Sequence, residues 1–281
     1  MPLIDRGDFR VNYEISCDGD GPTILLVAGL GEQIRSVEYP QEQCDAFARH
    51  GFRVVRMDNR DAGQSLPKGD EDDIPAYSLL DLADDTCAVI ADLDCGPVHL
   101  VGASMGGFVV RWAALRCPQR IKTLTVVMSG SGAGPDDDGP QNNPQAQPSL
   151  LGMLERRGRD AQIDWSTENW RWLWGAGYPF PGDWVRERVA TSFDRSYRPE
   201  GTARLLKASR STPGLWDAQT RIACPTLVIH GAEDPVFSAE HGEAIARRIP
   251  GAKLWLDPKM GHIMHEQQWA GMAKLVAAMA G

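Results

Sequence analysis

Short apolar segments that alternate with helical patterns constrain the fold of this 281-residue chain more than any other feature. Residues 23–28, Thr-Ile-Leu-Leu-Val-Ala, are apolar almost throughout and end at a glycine, which is typical of a strand buried on both faces. Further strands are predicted at 9–16, 52–57, 97–102, 121–128, 225–230 and 253–256, and helices at 40–50, 78–93, 105–116, 238–249 and 266–280. This alternation predicts a mainly parallel sheet with helices on both faces. Functional residues are then expected at the carboxyl ends of the strands.

The alternation is interrupted between residues 129 and 216. Residues 129–149 are rich in Gly, Pro, Asp, Asn and Gln, and residues 150–216 have helical patterns but no strong strand. We therefore predict a core domain formed by residues 1–129 and 217–281, and a helical cap at 130–216. Two roles remain open for the tryptophans of this insertion: they line a pocket and favour an aromatic or polycyclic substrate, or they form the insertion's own core and its contact with the core domain. They are Trp165, Trp170, Trp172, Trp174, Trp184 and Trp216.

Charge and cysteine content restrict the partners and the compartment. Lys and Arg number 29 against 38 Asp and Glu, a net charge of -9, which repels phosphate backbones and anionic membranes. Neither a nucleic-acid nor a membrane partner is expected. The acidic first eight residues do not resemble a signal peptide, and no apolar run reaches the ~18 residues of a membrane span, so we predict a cytoplasmic protein. The cysteines form no C-x-x-C pair and are predicted to be reduced packing residues: Cys17, Cys44, Cys87, Cys95, Cys117 and Cys224.

Residues 102–107, Gly-Ala-Ser-Met-Gly-Gly, carry the strongest functional signal. They follow a predicted strand and open a predicted helix, which is the context that a G-x-S-x-G nucleophile elbow requires. Small neighbours allow the sharp turn that exposes the serine at the edge of the sheet. Ser104 is therefore the predicted nucleophile.

A serine nucleophile needs a base to remove its proton and an acid to orient that base. Asp234 follows the predicted strand at 225–230, and His262 follows the strand at 253–256, so both are expected at the same sheet edge as Ser104. The rival acid is Glu233, but the proline after Asp234 favours the latter. The rival base is His265, which is more simply explained as a cap or surface residue of the last helix.

The remaining histidines are given structural interpretations. His99 and His230 lie inside predicted strands and are expected to be packed and hydrogen-bonded, whereas His50 and His241 are expected on helix surfaces. No histidine or cysteine spacing predicts a metal site.

Two backbone N–H groups are expected to bind the oxyanion of an acyl-transfer reaction. One comes from the residue after the nucleophile, and the other from the loop after an early central strand. Met105 and Leu30 occupy these positions, and the glycines on either side of Leu30 give its loop conformational freedom.

Several segments together resemble the α/β-hydrolase superfamily, and the resemblance covers nearly the whole chain apart from residues 130–216. Residues 28–31, Ala-Gly-Leu-Gly, stand where many members have His-Gly, so Ala28 replaces a frequent histidine. The elbow at 102–107 matches, residues 225–235 are similar to the strand and loop that bear the acid, and Gly261-His262 is similar to the terminal histidine motif. The resemblance implies an α/β-hydrolase fold with an inserted helical cap.

Residues 58–65, Asp-Asn-Arg-Asp-Ala-Gly-Gln-Ser, resemble the D-x-R-G-x-G-x-S segment of the same superfamily, with Asp61 in place of a glycine. This variant is similar to the branch of small-molecule esterases that contains aclacinomycin methylesterase. Ser104 argues against the haloalkane dehalogenases and epoxide hydrolases, which have Asp at the elbow.

The sequence therefore predicts a serine hydrolase that cleaves a carboxylic ester, such as a methyl ester or a lactone, of a small to medium organic molecule. No cofactor and no metal are expected, and the predicted partner is a small-molecule substrate. Perhydrolase, carbon–carbon bond hydrolase and aminopeptidase activities use the same three residue types and remain alternatives, as does a non-catalytic small-molecule receptor. A homo-oligomer also remains open.

Overall fold

The computed structural model describes residues 2–70 and 73–280 and contains one eight-stranded sheet in the order β1-β2-β4-β3-β5-β6-β7-β8. The strands are β1 (Leu3–Arg6), β2 (Phe9–Cys17), β3 (Thr23–Val27), β4 (Arg53–Met57), β5 (Val98–Ala103), β6 (Ile121–Val127), β7 (Thr226–Gly231) and β8 (Lys253–Asp257). β1 and β2 pair antiparallel, and β2 joins β4 antiparallel. The remaining pairs are parallel, as predicted. The hairpin strand β1 was not predicted, because its residues are half-buried at most and show no apolar run.

Helices cover both faces of the sheet. They are α1 (Gln41–Ala48), α2 (Leu79–Asp92), α3 (Met105–Arg116), α4 (Gln147–Gly152), α5 (Arg159–Trp174), α6 (Gly182–Arg195), α7 (Pro199–Ser211), α8 (Leu215–Ala218), α9 (Ala239–Arg248) and α10 (Glu266–Ala280). Alternate residues of β3 point to opposite faces: Leu25 packs with α2 and α3, whereas Leu26 packs with α1 and α10. Because both faces are covered, β3 and β5 are entirely buried and read as continuous apolar runs. No described helix is long and apolar enough to cross a membrane.

The prediction that all six cysteines are reduced is wrong for one pair. Cys87 and Cys117 form a disulfide. Cys87 lies on α2 and Cys117 directly follows α3, and these two helices pack side by side, so the cysteines meet although they lie 30 residues apart. The sequence spacing gave no indication of this helix contact.

Buried ion pairs connect α6 and α7 to the loop that follows β4. Asp58 accepts hydrogen bonds from Arg195 at 2.6 and 3.2 Å, and Asp61 accepts two from Arg204 at 2.6 and 2.7 Å. Both carboxylate side chains are fully buried. Asp61, which replaces the superfamily glycine, has a φ of 65°. The carboxylate that this replacement adds therefore pairs with α7, one of the helices between β6 and β7.

Three of the four histidines with structural interpretations have the expected burial, and the expectation for His241 is wrong. His99 bonds to the Thr123 hydroxyl at 2.8 Å, and His230 bonds to the Phe237 carbonyl at 2.9 Å, as predicted. His50 is exposed. His241 is not on the surface: it is 1% exposed, because the face of α9 that carries it packs against the loop after β6. Its Nδ1 accepts from the Ser131 N–H at 3.0 Å, and its Nε2 bonds to the Gln141 carbonyl at 3.2 Å.

These buried histidines predict a loss of stability in mild acid. Burial lowers the pKa of both His99 and His241 to about 4, from 6.5 for an exposed histidine. The unfolded chain therefore binds protons at these two histidines below about pH 6.5, whereas the folded chain binds them only near pH 4. The contribution of these two histidines to the free energy of unfolding is then constant above that interval and decreases inside it, by at most about 1.4 kcal/mol per pH unit for each histidine. Buried carboxyl groups with a raised pKa, such as Glu32, change the stability in the opposite direction over this interval, so the readout is the difference between two proteins. In urea unfolding from about pH 7 to about pH 5, the wild type should lose stability relative to His241→Gln. Identical slopes in the two proteins would contradict the assignment.

Candidate active site

Ser104 lies in the sharp turn between β5 and α3. Its φ of 52° falls in the left-handed region, which a non-glycine residue rarely adopts. The neighbouring glycines have no room for side chains: a Cβ on Gly102 would lie 2.3 Å from the Gly106 carbonyl oxygen, and one on Gly106 would lie 2.2 Å from the Val27 carbonyl oxygen. The G-x-S-x-G pattern thus results from close packing of the turn against β3, which exposes the serine at the sheet edge.

The three predicted residues form one chain of hydrogen bonds. His262 Nε2 lies 2.9 Å from Ser104 Oγ, and His262 Nδ1 lies 2.8 Å from Asp234 Oδ2. The carboxylate fixes the proton on Nδ1 and leaves Nε2 free to accept the serine hydroxyl proton. Asp234 is separated from His262 by 28 residues and His262 from Ser104 by 158, so only the parallel sheet brings them together.

Further hydrogen bonds hold the acid and the base in place. Asp234 Oδ1 accepts from the backbone N–H groups of Val236 at 2.8 Å and Phe237 at 3.0 Å. The His262 N–H donates to the Leu173 carbonyl at 2.7 Å, which ties its loop to the end of α5. The Asp234 carboxylate is fully buried, so its orientation does not depend on solvent.

The two rival residues lie elsewhere. Glu233 is exposed. His265 is 6% exposed and stacks on Tyr178 with ring centroids 4.7 Å apart, while its Nδ1 accepts from the Gln267 N–H at 3.2 Å. It therefore caps the start of α10, which is one of the two roles expected for it, and it is buried because the Tyr178 ring covers it.

The residues predicted to bind the oxyanion both line the cavity into which Ser104 opens. Met105 is the first residue of α3, so its N–H has no acceptor within the helix. Leu30 follows β3 in the adjacent loop. The positions are those at which backbone donors can point toward a carbonyl oxygen bound at Ser104.

Two side chains that sequence reasoning missed hold the Leu30 loop. Asn59 donates from Nδ2 to the Ala28 carbonyl at 2.8 Å, and Glu38 accepts from the Gly29 N–H at 2.6 Å. Asn59 could have been noticed in the 58–65 motif, but the stretch around Glu38 offers no pattern. The two side chains therefore bind the single peptide group that links Ala28, the residue that replaces the superfamily histidine, to Gly29.

A buried arginine is linked by hydrogen bonds to the turn that carries Ser104. Arg111 of α3 is fully buried and hydrogen-bonds to neutral oxygens, including the Gly130 carbonyl at 2.6 Å and Gln219 Oε1 at 2.7 Å. It also donates to Ser129 Oγ at 3.3 Å, and that hydroxyl donates to the Ser104 carbonyl at 2.8 Å. Burial lowers the pKa of Arg111 to about 9.

A cavity of about 740 Å³ opens above Ser104 and His262. Among the tryptophans of the insertion, Trp165, Trp170 and Trp216 contribute to its wall. Trp174 instead packs into the hydrophobic cluster beneath α1 and α10, and Trp172 is 37% exposed. Both roles considered for these residues therefore occur. Among the described residues, no group of three or more His, Cys, Asp or Glu side chains is arranged to hold a metal ion.

Known proteins resemble this chain over most of its length. A family model described as alpha/beta hydrolase fold matches residues 22–268. Rhodomycin D methylesterase DauP of Streptomyces sp. (strain C5) is 29% identical over 262 residues, which cover 87% of this chain and 86% of that protein. Rhodomycin D methylesterase DnrP of Streptomyces peucetius is 27% identical with the same coverage of both chains.

Solved structures show the same architecture over the full chain. A hydrolase from Pseudomonas aeruginosa is 27% identical with a TM-score of 0.74, and the match covers 100% of this chain and 98% of that one. The enol-lactonase from Burkholderia xenovorans LB400 is 23% identical with a TM-score of 0.78, covering 99% of each chain, and this likeness concerns the fold. Since the family match spans most of the chain, the protein belongs to the α/β hydrolase fold family.

Proposed function

We propose that this protein is a serine hydrolase that cleaves carboxylic esters through an acyl-enzyme on Ser104. The observation that carries the proposal is the continuous hydrogen-bonded chain from Asp234 through His262 to Ser104, with the serine at the floor of a large cavity. The methylesterase names of the relatives support ester hydrolysis.

The geometry supports a two-step reaction. His262 Nε2 takes the Ser104 proton as Oγ attacks the acyl carbon, and Asp234 stabilises the imidazolium that forms. The N–H groups of Leu30 and Met105 stabilise the oxyanion. The imidazolium then protonates the leaving alcohol. Water activated by His262 releases the acid in the second step.

The substrate that fits best is a methyl ester of an aromatic molecule larger than a single ring. A cavity of about 740 Å³ lies within the usual range for sites that enclose drug-sized ligands. Trp165 and Trp170 of α5 give the wall flat aromatic surfaces. We propose that residues 130–216 act as the cap of the site, because α5, α6 and α7 all contribute to this wall.

Comparing methyl esters tests this function, because the alcohol that leaves is then always methanol. We expect kcat/KM to be at least about tenfold higher for the methyl ester of a polycyclic aromatic acid than for methyl acetate. Trp165→Ala should lower the value for the aromatic ester by about tenfold and leave that for methyl acetate nearly unchanged. Trp172→Ala is the matched control, because this tryptophan is outside the cavity wall, and it should change neither value. Equal kcat/KM for the two esters would refute the aromatic preference, and no turnover of any ester would refute the proposed hydrolase.

A further inference from the structure

Two acidic side chains lie in the wall of the cavity that contains Ser104, and they have no role in the two-step reaction proposed above. They are Glu32 and Glu38, on the loop between β3 and α1. Glu38 is 5% exposed, and Glu32 Oε2 is buried without a hydrogen-bond partner. Carboxyl groups are rarely buried in this way without a cation or a proton.

Glu38 contacts the backbone that carries the predicted oxyanion donor. Its Oε2 accepts from the Gly29 N–H at 2.6 Å, and Gly29 directly precedes Leu30. A Cβ placed on Gly29 would lie 2.8 Å from Glu38 Oε1 and 3.0 Å from Ser104 Cβ. The carboxyl group and the nucleophile therefore flank the same glycine, so a charge on Glu38 would lie close to Ser104.

The surroundings of the pair disfavour two negative charges. Burial, with the nearby charge of Glu32, raises the pKa of Glu38 well above its usual value. Burial raises the pKa of Glu32 to about 7, although the backbone N–H groups of Val37 and Glu38 oppose that rise. The Tyr39 phenol is buried beside them, and its pKa is raised too.

The cations of this region are engaged with other carboxylates. Arg35 pairs with Glu14 at 3.1 Å, and Arg195 pairs with Asp58 at 2.6 Å. Across Ser104, the ring of His262 is bound to Asp234. Arg35 and Arg195 thus neutralise other carboxylates, and burial favours the protonated form of the glutamate pair.

We propose that Glu38 is a positioning residue that holds the oxyanion loop through the Gly29 N–H, and that it does so in its protonated form. A neutral carboxyl group accepts the N–H without placing a negative charge beside the developing oxyanion. When Glu38 ionises, that charge repels the oxyanion and the acylation step slows. Activity is therefore present while Glu38 is protonated and is lost as the pH rises through its pKa in the folded protein.

The inference rests on the proposed ester hydrolysis and is tested by two substitutions at one position. Glu38→Gln keeps a carbonyl oxygen that can accept the Gly29 N–H but cannot ionise, whereas Glu38→Leu removes the acceptor. The measurement is kcat and KM for an aromatic methyl ester from about pH 5 to about pH 10, together with far-UV circular dichroism. We expect the wild type to lose kcat on the alkaline side. Glu38→Gln should keep neutral-pH kcat within about threefold and lose this alkaline decrease, and Glu38→Leu should lower kcat about tenfold at neutral pH with little change in KM.

Labelling with a fluorophosphonate, which reacts with activated serines, separates the failure of this inference from the failure of the proposed function. If the wild type is labelled at Ser104 and turns over esters, but Glu38→Gln retains the alkaline decrease, the role of Glu38 is refuted and the hydrolase stands. Wild-type kcat in Glu38→Leu would refute it equally. If Glu38→Leu does not fold, the pH profile of Glu38→Gln still decides. A wild type that is neither labelled nor active overturns both proposals.

Discussion

Ser104→Ala is expected to lower kcat for ester hydrolysis by about 10⁴-fold or more, because Ser104 forms the acyl-enzyme in the proposed mechanism. The hydroxyl is hydrogen-bonded to His262 at 2.9 Å, so its removal takes away the nucleophile and leaves substrate binding in the cavity nearly unchanged. The initial rate of methyl ester hydrolysis, measured for wild type and variant at equal concentration, gives the ratio.

His262 provides the internal check on this result. His262→Ala should lose as much activity as Ser104→Ala, and the double variant should lose little more, because nucleophile and base act as one unit. His265→Gln is the matched control, since His265 lies between Tyr178 and the start of α10 and bonds to neither Ser104 nor Asp234. It should keep activity of the wild-type order. Substantial hydrolysis by a folded Ser104→Ala protein would eliminate the acyl-enzyme mechanism.

Of the substitutions proposed for this protein, Arg111→Met is expected to lower the free energy of unfolding most, by about 3–5 kcal/mol. Methionine fills much of the same volume but donates no hydrogen bond. The Gly130 carbonyl and Gln219 Oε1, which accept from Arg111 at 2.6 and 2.7 Å, would be left inside the protein without this donor. Urea unfolding at neutral pH, followed by tryptophan fluorescence, measures the difference.

Arg186→Met is the matched control for that measurement. Arg186 pairs with Asp164 at 2.6 Å, but both side chains are about half exposed, so water replaces the lost interaction. The same chemical change should then cost no more than about 1 kcal/mol. Similar losses in the two variants would show that the buried hydrogen bonds of Arg111 do not stabilise the turn behind Ser104.

Much of the fold could be predicted because the pattern of apolar residues in a short stretch of sequence indicates which of them are buried. β3 and β5 are buried on both faces, and this leaves an apolar run in the sequence that needs no knowledge of the partner strands. Helix α2 begins at Leu79, one residue into the segment predicted at 78–93, because Ser78 caps it and the Asp81 carboxylate completes a capping box. The weakly apolar strand β1 was missed because it lies at the sheet edge and pairs only with β2.

The three residues of the hydrogen-bonded chain were also accessible from the sequence. Ser104, Asp234 and His262 each follow a predicted strand, and parallel strands end at the same edge of a sheet. The topology therefore predicts that they meet, although the distances of 2.8 and 2.9 Å between their atoms come from the structure.

The sequence by itself thus determined the sheet, the family and the three residue types at the site. Only the tertiary structure decided that Glu38 holds the Gly29 N–H, that His241 is buried, and that Cys87 meets Cys117. Within one strand or helix, buried positions recur at a fixed period, so they can be recognised from the local sequence. Contacts between side chains of different loops and helices have no such period, because they depend on how separately formed elements pack together.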